Sequence, residues 1–309
     1  MRPMLLIRSF TAAALLCALL PTAGAVEGGA TILPAGVYDF GAGQMPPPTE
    51  FGTVGLRVAS YQAKRLNGAD GRRAPVGLDL SVQSVGLAYI HTTNLRLGHA
   101  QYGWGAVLPT LQLSLDLAVP TPAGPLALSG RNSAQGDLQL IPAILQWVPS
   151  PGLYTNAQFL VQLPTGAYDK NRLINAGVNH WSVVPSFAFT WIQPSGLEIS
   201  SQVQLNVHGR NKATNYTSGT EYQHEFAVGQ HLGSWTVGLG GYLLHQITDD
   251  KGAGVVDGNR VRALAIGPAV SFFELGSGLP SLWAHAYKEV SSRNRSQGTS
   301  VAVRLGWVF

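Results

Sequence analysis

The chain has 309 residues, of which 45% are hydrophobic and only 12% charged, with 37 glycines, one cysteine and a formal charge of +4. Soluble domains average about 25% charged residues, so an ion-pair-rich soluble enzyme and a disordered tail both fit poorly. No apolar run of about 18 residues follows the N-terminal stretch, which excludes a bundle of membrane-crossing helices, and the scatter of basic residues argues against a nucleic-acid partner.

Arg2 and Arg8 precede an apolar segment at 12–20, and Ala23-Gly24-Ala25 places small residues where a signal peptidase reads. This pattern predicts a secretory signal peptide over residues 1–25. Cys17 falls inside it, so the exported chain would lack disulfides and rely on hydrogen bonding and burial. Removing Arg2 and Arg8 would leave 18 basic and 16 acidic residues, so half the net charge belongs to the signal.

Residues 26–50 carry Gly28-Gly29, Gly41, Gly43 and Pro46-Pro47-Pro48, and no strand pattern. This N-terminal segment is expected to be either a periplasmic tail or a plug folded into a lumen. Tyr38, Phe40 and Met45 favour the plug, because apolar side chains gain from leaving water.

From residue 51 to 309 the chain alternates polar and apolar with period 2, between clusters of Gly, Pro, Asn and Asp. In the clearest segment Leu197, Ile199, Val203, Leu205 and Val207 share one face, and Glu198, Ser200, Gln202, Gln204 and Asn206 the other. Such alternation marks a strand with one greasy and one wet side. Strands are predicted at 51–63, 76–94, 102–119, 136–147, 152–164, 180–191, 196–208, 219–232, 234–248, 260–274, 280–291 and 298–309. Mostly long polar connections, such as 64–75, 166–179 and 249–259, follow the odd-numbered strands. Tight turns such as 193–196 follow the fourth, sixth, eighth and tenth.

About 12 alternating strands, with long loops at one end and short turns at the other, predict an all-β, antiparallel transmembrane β-barrel. Hydrocarbon cannot satisfy backbone groups, so a sheet that crosses it must close on itself. Long extracellular loops and short periplasmic turns follow, with the cell outer membrane as the address. Aromatics near predicted strand ends, among them Tyr61, Trp104, Tyr154, Trp191, Trp235, Trp283 and Tyr287, suggest interfacial girdles. The terminal Phe309, with Val301, Val303, Leu305 and Trp307 on its face, fits the signal that such barrels present to their assembly machinery.

Several motifs carry a family resemblance. They are Gly136-Asp137-Leu138, Pro164-Thr165-Gly166-Ala167-Tyr168-Asp169, Asn175-Ala176-Gly177-Val178-Asn179-His180-Trp181 and Gly196-Leu197-Glu198-Ile199-Ser200. Further on come the run 211–219, Gly241-Tyr242, Gln246-Ile247-Thr248-Asp249-Asp250 and Ile266-Gly267-Pro268. Together they resemble a family of bacterial outer-membrane proteins labelled as involved in the meta-cleavage pathway of phenol degradation, which includes sphingosine-induced members. The resemblance implies an outer-membrane channel for small hydrophobic or aromatic compounds, and supplies no catalytic or binding residues.

The polar faces make Asp116, Glu198, Gln202, Gln204, Asn206 and Arg304 candidates for the lumen lining. They would either stiffen the barrel through hydrogen bonds or select what passes. Pro109, Pro142, Pro185 and Pro268 each remove a ladder donor and are expected at bulges or kinks, which could open a lateral gap for a hydrophobic solute. His180 and Ser182 share a face but lack an orienting partner and an oxyanion donor, so a lipid hydrolase is the weakest alternative and no enzyme is expected. His224, His231 and His245 lack metal-ligand spacing, and Asp249, Asp250 and Asp257 lack a calcium-loop pattern. No cofactor is expected. Lys64, Arg65, Arg72 and Arg73 form a basic loop that would be solvated or would meet lipopolysaccharide phosphates. The competing reading of function is a structural or adhesive barrel with a sealed lumen.

Overall fold

A computed structural model describes residues 34–252, 255, 257–274 and 276–309; the expected signal peptide and residues 26–33 lie outside these. Among the described residues there are thirteen strands and no helix: β1 (Thr53–Asn67), β2 (Gly77–Leu97), β3 (Ala100–Val119), β4 (Leu126–Gln135), β5 (Gln139–Ser150), β6 (Leu153–Gln162), β7 (Ser182–Ile192), β8 (Leu197–His208), β9 (Glu221–Leu232), β10 (Trp235–Gln246), β11 (Arg262–Phe272), β12 (Ser281–Arg293) and β13 (Arg295–Val308). Every pairing is antiparallel, β1 bonds both β13 and β2, and the β2–β3 ladder closes the sheet. The result is a closed barrel of twelve staves, because β4 and β5 occupy one place in the wall. The lower part of β3 pairs β5 at Gln101–Val107, and its upper part pairs β4 at Thr110–Val119.

Each of the twelve predicted strands overlaps an observed one, and β4 is the thirteenth, lying in the predicted connection between 119 and 136. Its sequence, LALSGRNSAQ, alternates weakly because it works in a different setting. β5, β6 and β7 end level, at Gln139, Gln162 and Ser182, whereas β2, β3 and β4 continue past that rim. There the outer face meets water, so the polar side chains turn outward and the apolar ones inward. Asp116 is therefore no lumen residue. It lies on the outer surface, half-exposed, bonded to Arg131 at 2.7 Å and Ser129 at 2.5 Å. Leu111, Leu113, Leu115 and Leu117 point inside.

Two other expectations need correction. The connection from β12 to β13 is the single residue Asn294, in the left-handed region at φ 52°, a conformation asparagine tolerates better than most residues. Tyr61, Tyr154, Trp283 and Tyr287 line or fill the interior rather than the girdles, while Trp104, Trp181, Trp191 and Trp235 are exposed. The prolines differ among themselves. Pro109 sits where β3 passes from β5 to β4, so a missing N–H coincides with a missing neighbour. Pro142 lies at register shifts against both β3 and β6. Pro185 and Pro268 pair normally on one side and leave a gap, without a register shift, in the β7–β8 and β11–β12 ladders.

Candidate functional site

The interior has two unlike halves. On β8 the wet face predicted from alternation points inward: Glu198, Gln202, Gln204 and Asn206 are all buried. Their amides form a directional chain in which Gln202 donates to Gln204 at 3.2 Å, Gln204 to Asn206 at 3.1 Å, and Asn206 to Glu221 of β9 at 3.2 Å. On β9 Gln223 donates to Glu225 at 2.6 Å. Higher up, buried Glu289 accepts bonds from Tyr61 at 2.8 Å, Tyr242 at 2.9 Å and the Gly298 N–H at 2.7 Å, with Arg295 at 3.2 Å. Buried polar groups are costly unless paired, and this half meets most of that demand by bonding side chain to side chain, while Gln202 Oε1, Glu221 Oε1 and Gln223 Oε1 stay unpaired among the described residues.

Residues 34–49 run round the inner wall. The Gly36 and Tyr38 amides donate to the Glu225 carboxylate, the Gly41 amide to Glu198 at 2.7 Å, and the Gly43 amide to Thr190 at 2.9 Å. Asn156 and Thr92 donate to the carbonyls of Ala42 and Pro46, both at 2.8 Å. Asp39 lies between His285 at 3.2 Å and Arg304 at 3.3 Å, and Arg304 also donates to the Val37 carbonyl at 3.0 Å while stacking on Trp283 at 4.3 Å. Phe40 is 1% exposed and packs with Ala227, Tyr242, Leu244 and Tyr287. Its ring occupies the space of the missing side chain at Gly229, where a Cβ would come 2.5 Å from Cζ. Arg304 thus lies inside as expected, and its work is to hold this segment.

The other half is apolar. β2 and β3 turn Leu80, Val82, Leu111, Leu113 and Leu115 inward, and Ile174 from the 163–181 loop packs on them. A cavity of about 1030 Å³ runs along this wall, bounded opposite by the N-terminal segment and by Asp137, Gln162 and Glu221.

Two carboxylates fasten loops of the barrel, Asp137 beside this cavity and Asp250 away from it, and the motifs behind the family resemblance build both. Asp137, at the break between β4 and β5, accepts the Gly166 and Val178 amides at 2.8 Å each. A Cβ on Gly166 would lie 2.7 Å from the Gly136 backbone, and one on Gly177 would lie 2.7 Å from the Gly166 backbone. Asp250 accepts the Gly219 amide at 2.7 Å, Gln246 at 2.7 Å and the Tyr216 hydroxyl at 2.5 Å, and burial pushes its carboxyl up. Sequence reasoning missed Asp39, Asp137, Glu221, Glu225 and His285 as interior residues. Glu221 and Glu225 were readable, since they alternate with Tyr222, His224 and Phe226. Asp39 and Asp137 lie in no strand and left no such trace.

Ser182 and His180 are within 3.1 Å of each other, but both are buried and His180 Nδ1 also lies 3.2 Å from the Trp181 carbonyl. Among the described residues no group of three metal-ligating side chains assembles.

No curated protein matches the sequence. Among solved structures, the COG4313 outer membrane channel from Pseudomonas putida F1 superposes with a TM-score of 0.74 at 15% identity, covering 88% of this chain and 100% of that one. The β domain of the Bordetella autotransporter BrkA follows at TM-score 0.51 and 13% identity, covering 84% and 100%. The transport unit of the Escherichia coli autotransporter AIDA-I reaches 0.50 at 9%, covering 86% and 93%. These likenesses establish an outer-membrane type of barrel. Residues 63–305 match the family described as "Putative MetA-pathway of phenol degradation", and the chain belongs to that family.

Proposed function

We propose that this barrel is an outer-membrane channel that admits small hydrophobic or aromatic compounds by diffusion, without a cofactor. The observation that carries the reading is the apolar wall of β2 and β3 along the 1030 Å³ cavity. An interior that only needed stiffening would not also border an open cavity with Leu80, Val82, Leu111, Leu113 and Leu115, which the 163–181 loop covers only in part through Ile174, because unfilled apolar surface forfeits contact energy. The extracellular loops would capture the solute, and the wall would conduct it past residues 34–47. Exit would follow the lumen, or run sideways where Pro268 interrupts the β11–β12 ladder. Lipid and the assembly machinery, reading Phe309, would be its other partners.

Uptake of a labelled aromatic into liposomes tests the reading. Leu113→Glu should cut uptake severalfold while leaving small-ion conductance near the parent value; unchanged uptake refutes it. Pro268→Val supplies the missing donor, and unchanged delivery would exclude the side route. A sealed structural barrel is the second reading, favoured by the many bonds that hold residues 34–46. Deleting that segment should raise conductance if it gates a channel and leave it unchanged if the lumen is closed regardless.

A further inference from the structure

The outer rim of β10, β11 and β12 carries a charge arrangement that the channel reading does not use. Arg262 of β11 lies directly opposite Arg293 of β12, and opposite His245 of β10 on its other flank. The neighbours Ala263, Gln246 and Ser292 are buried in the interior, so alternation turns Arg262, His245 and Arg293 to the outer surface. Arg262, Arg293 and Lys288 are exposed. Like charges directly opposite one another destabilise a ladder.

Neighbouring cations are neutralised: Arg260 by Asp249 at 2.8 Å, and Arg295 by Glu289 at 3.2 Å. Among the described residues no carboxylate comes within 4.0 Å of Arg262, Lys288 or Arg293. The first loop adds to the excess. A Cβ on Gly71 would lie 3.6 Å from Arg293 Cγ, and the Asn294 amide donates to the Gly68 carbonyl at 3.2 Å. This brings the exposed Arg65 and Arg73 to the same rim.

The height of the patch narrows the ligand. Just below it the outer surface is Leu264, Ile266 and Val290, all exposed. Lys288 stands opposite Ile266, inside that apolar zone, where a lysine lays its stem on hydrocarbon and lifts its ammonium toward the headgroups. Arginine forks match phosphate geometry in bidentate fashion, and lysine acts as a point charge. The complementary molecule has phosphate groups seated over acyl chains.

We propose that Arg262, Lys288 and Arg293 form a docking site for the phosphates of a phosphorylated glycolipid of the outer leaflet. The proposal rests on the barrel spanning an outer membrane. The test uses the barrel in detergent and inserted in vesicles, titrated with bisphosphorylated lipid A, its dephosphorylated form and inorganic phosphate, with bound lipid read by native mass spectrometry. The parent should hold the bisphosphorylated lipid at least tenfold more tightly than the dephosphorylated one. The triple variant Arg262→Gln, Lys288→Gln and Arg293→Gln should lose that preference, and Lys170→Gln with Arg172→Gln, in another loop, should keep it. Equal binding of both lipids, or an undiminished preference in the triple variant, overturns the proposal. Displacement of the lipid by an equal concentration of inorganic phosphate overturns it too, assigning the patch to free phosphate. A parent that fails to insert into vesicles refutes the membrane reading itself, whereas insertion without a phosphate preference refutes only the docking site.

Discussion

Replacing Asp137 by alanine should unfasten the 163–181 loop while sparing the barrel. Asp137 belongs to no ladder, so the β3–β4 and β3–β5 pairings do not need it. What it supplies is two backbone N–H bonds at 2.8 Å, to Gly166 and Val178, and a longer one of 3.4 Å from Gln162. Without the carboxylate both amides are left as unpaired buried donors, at about 1–3 kcal/mol each, so the two together give about 2–6 kcal/mol. Burying the carboxylate offsets part of that, leaving roughly 2–3 kcal/mol of loop closure. At about 1.4 kcal/mol per factor of ten, the open population should rise roughly 30- to 150-fold. Lys170 and Arg172 lie in this loop and are exposed, so trypsin reports the opening directly, provided reclosing outpaces cleavage. The rate at these two sites should rise by that factor. Asp137→Asn, which keeps one carbonyl acceptor, should fall between. If the alanine variant retains the heat-modifiable mobility of a folded barrel and is cut within twofold of the parent rate, the fastening role is wrong.

Phe40→Ala should destabilise the seating of the N-terminal segment by about 3–5 kcal/mol, the usual range for a buried phenylalanine, read as a faster loss of Trp283 fluorescence shielding on denaturant titration. Asp116→Asn should leave ion selectivity unchanged because Asp116 lies outside, whereas Arg304→Gln should alter it; equal effects would contradict the assigned faces. Asp249 is held below the usual aspartate range by the hydrogen bond from Arg260. A depressed folded pKa contributes stability above the unfolded value of about 3.9 and loses it as pH falls through the folded value. Exchange protection of the Gly258 amide, which bonds Asp249 at 3.0 Å, should therefore persist at pH 5 and fail only below about pH 4. Arg260→Gln should move the loss upward, and protection that vanishes between pH 7 and 5 would refute the pairing.

Much of the fold was legible because period-2 alternation is a local property. The segment at 196–208 differs by one residue from β8, and 280–291 differs little from β12. On β8 the same pattern also identified Glu198, Gln202, Gln204 and Asn206 as interior residues. It failed at Asp116 for a definite reason: alternation separates two faces without saying which one turns inward, and the assumption that the apolar face meets lipid holds only at bilayer height. Above the rim the solvent outside is water, and the leucines of β3 gain more by facing the cavity.

The sequence by itself thus determined that the chain is a membrane barrel of about twelve staves with its elaboration at one end. Strand alternation and turn chemistry act over two to four residues and need no distant partner. Tertiary structure alone decided what occupies the interior. Residues 34–49 reach Glu198, Glu225 and Arg304 across 150 to 270 positions, Asp137 gathers two later glycine motifs, and Arg262 meets Arg293 only through register. Such contacts depend on which strands a closed sheet makes neighbours, and on the medium each face then meets.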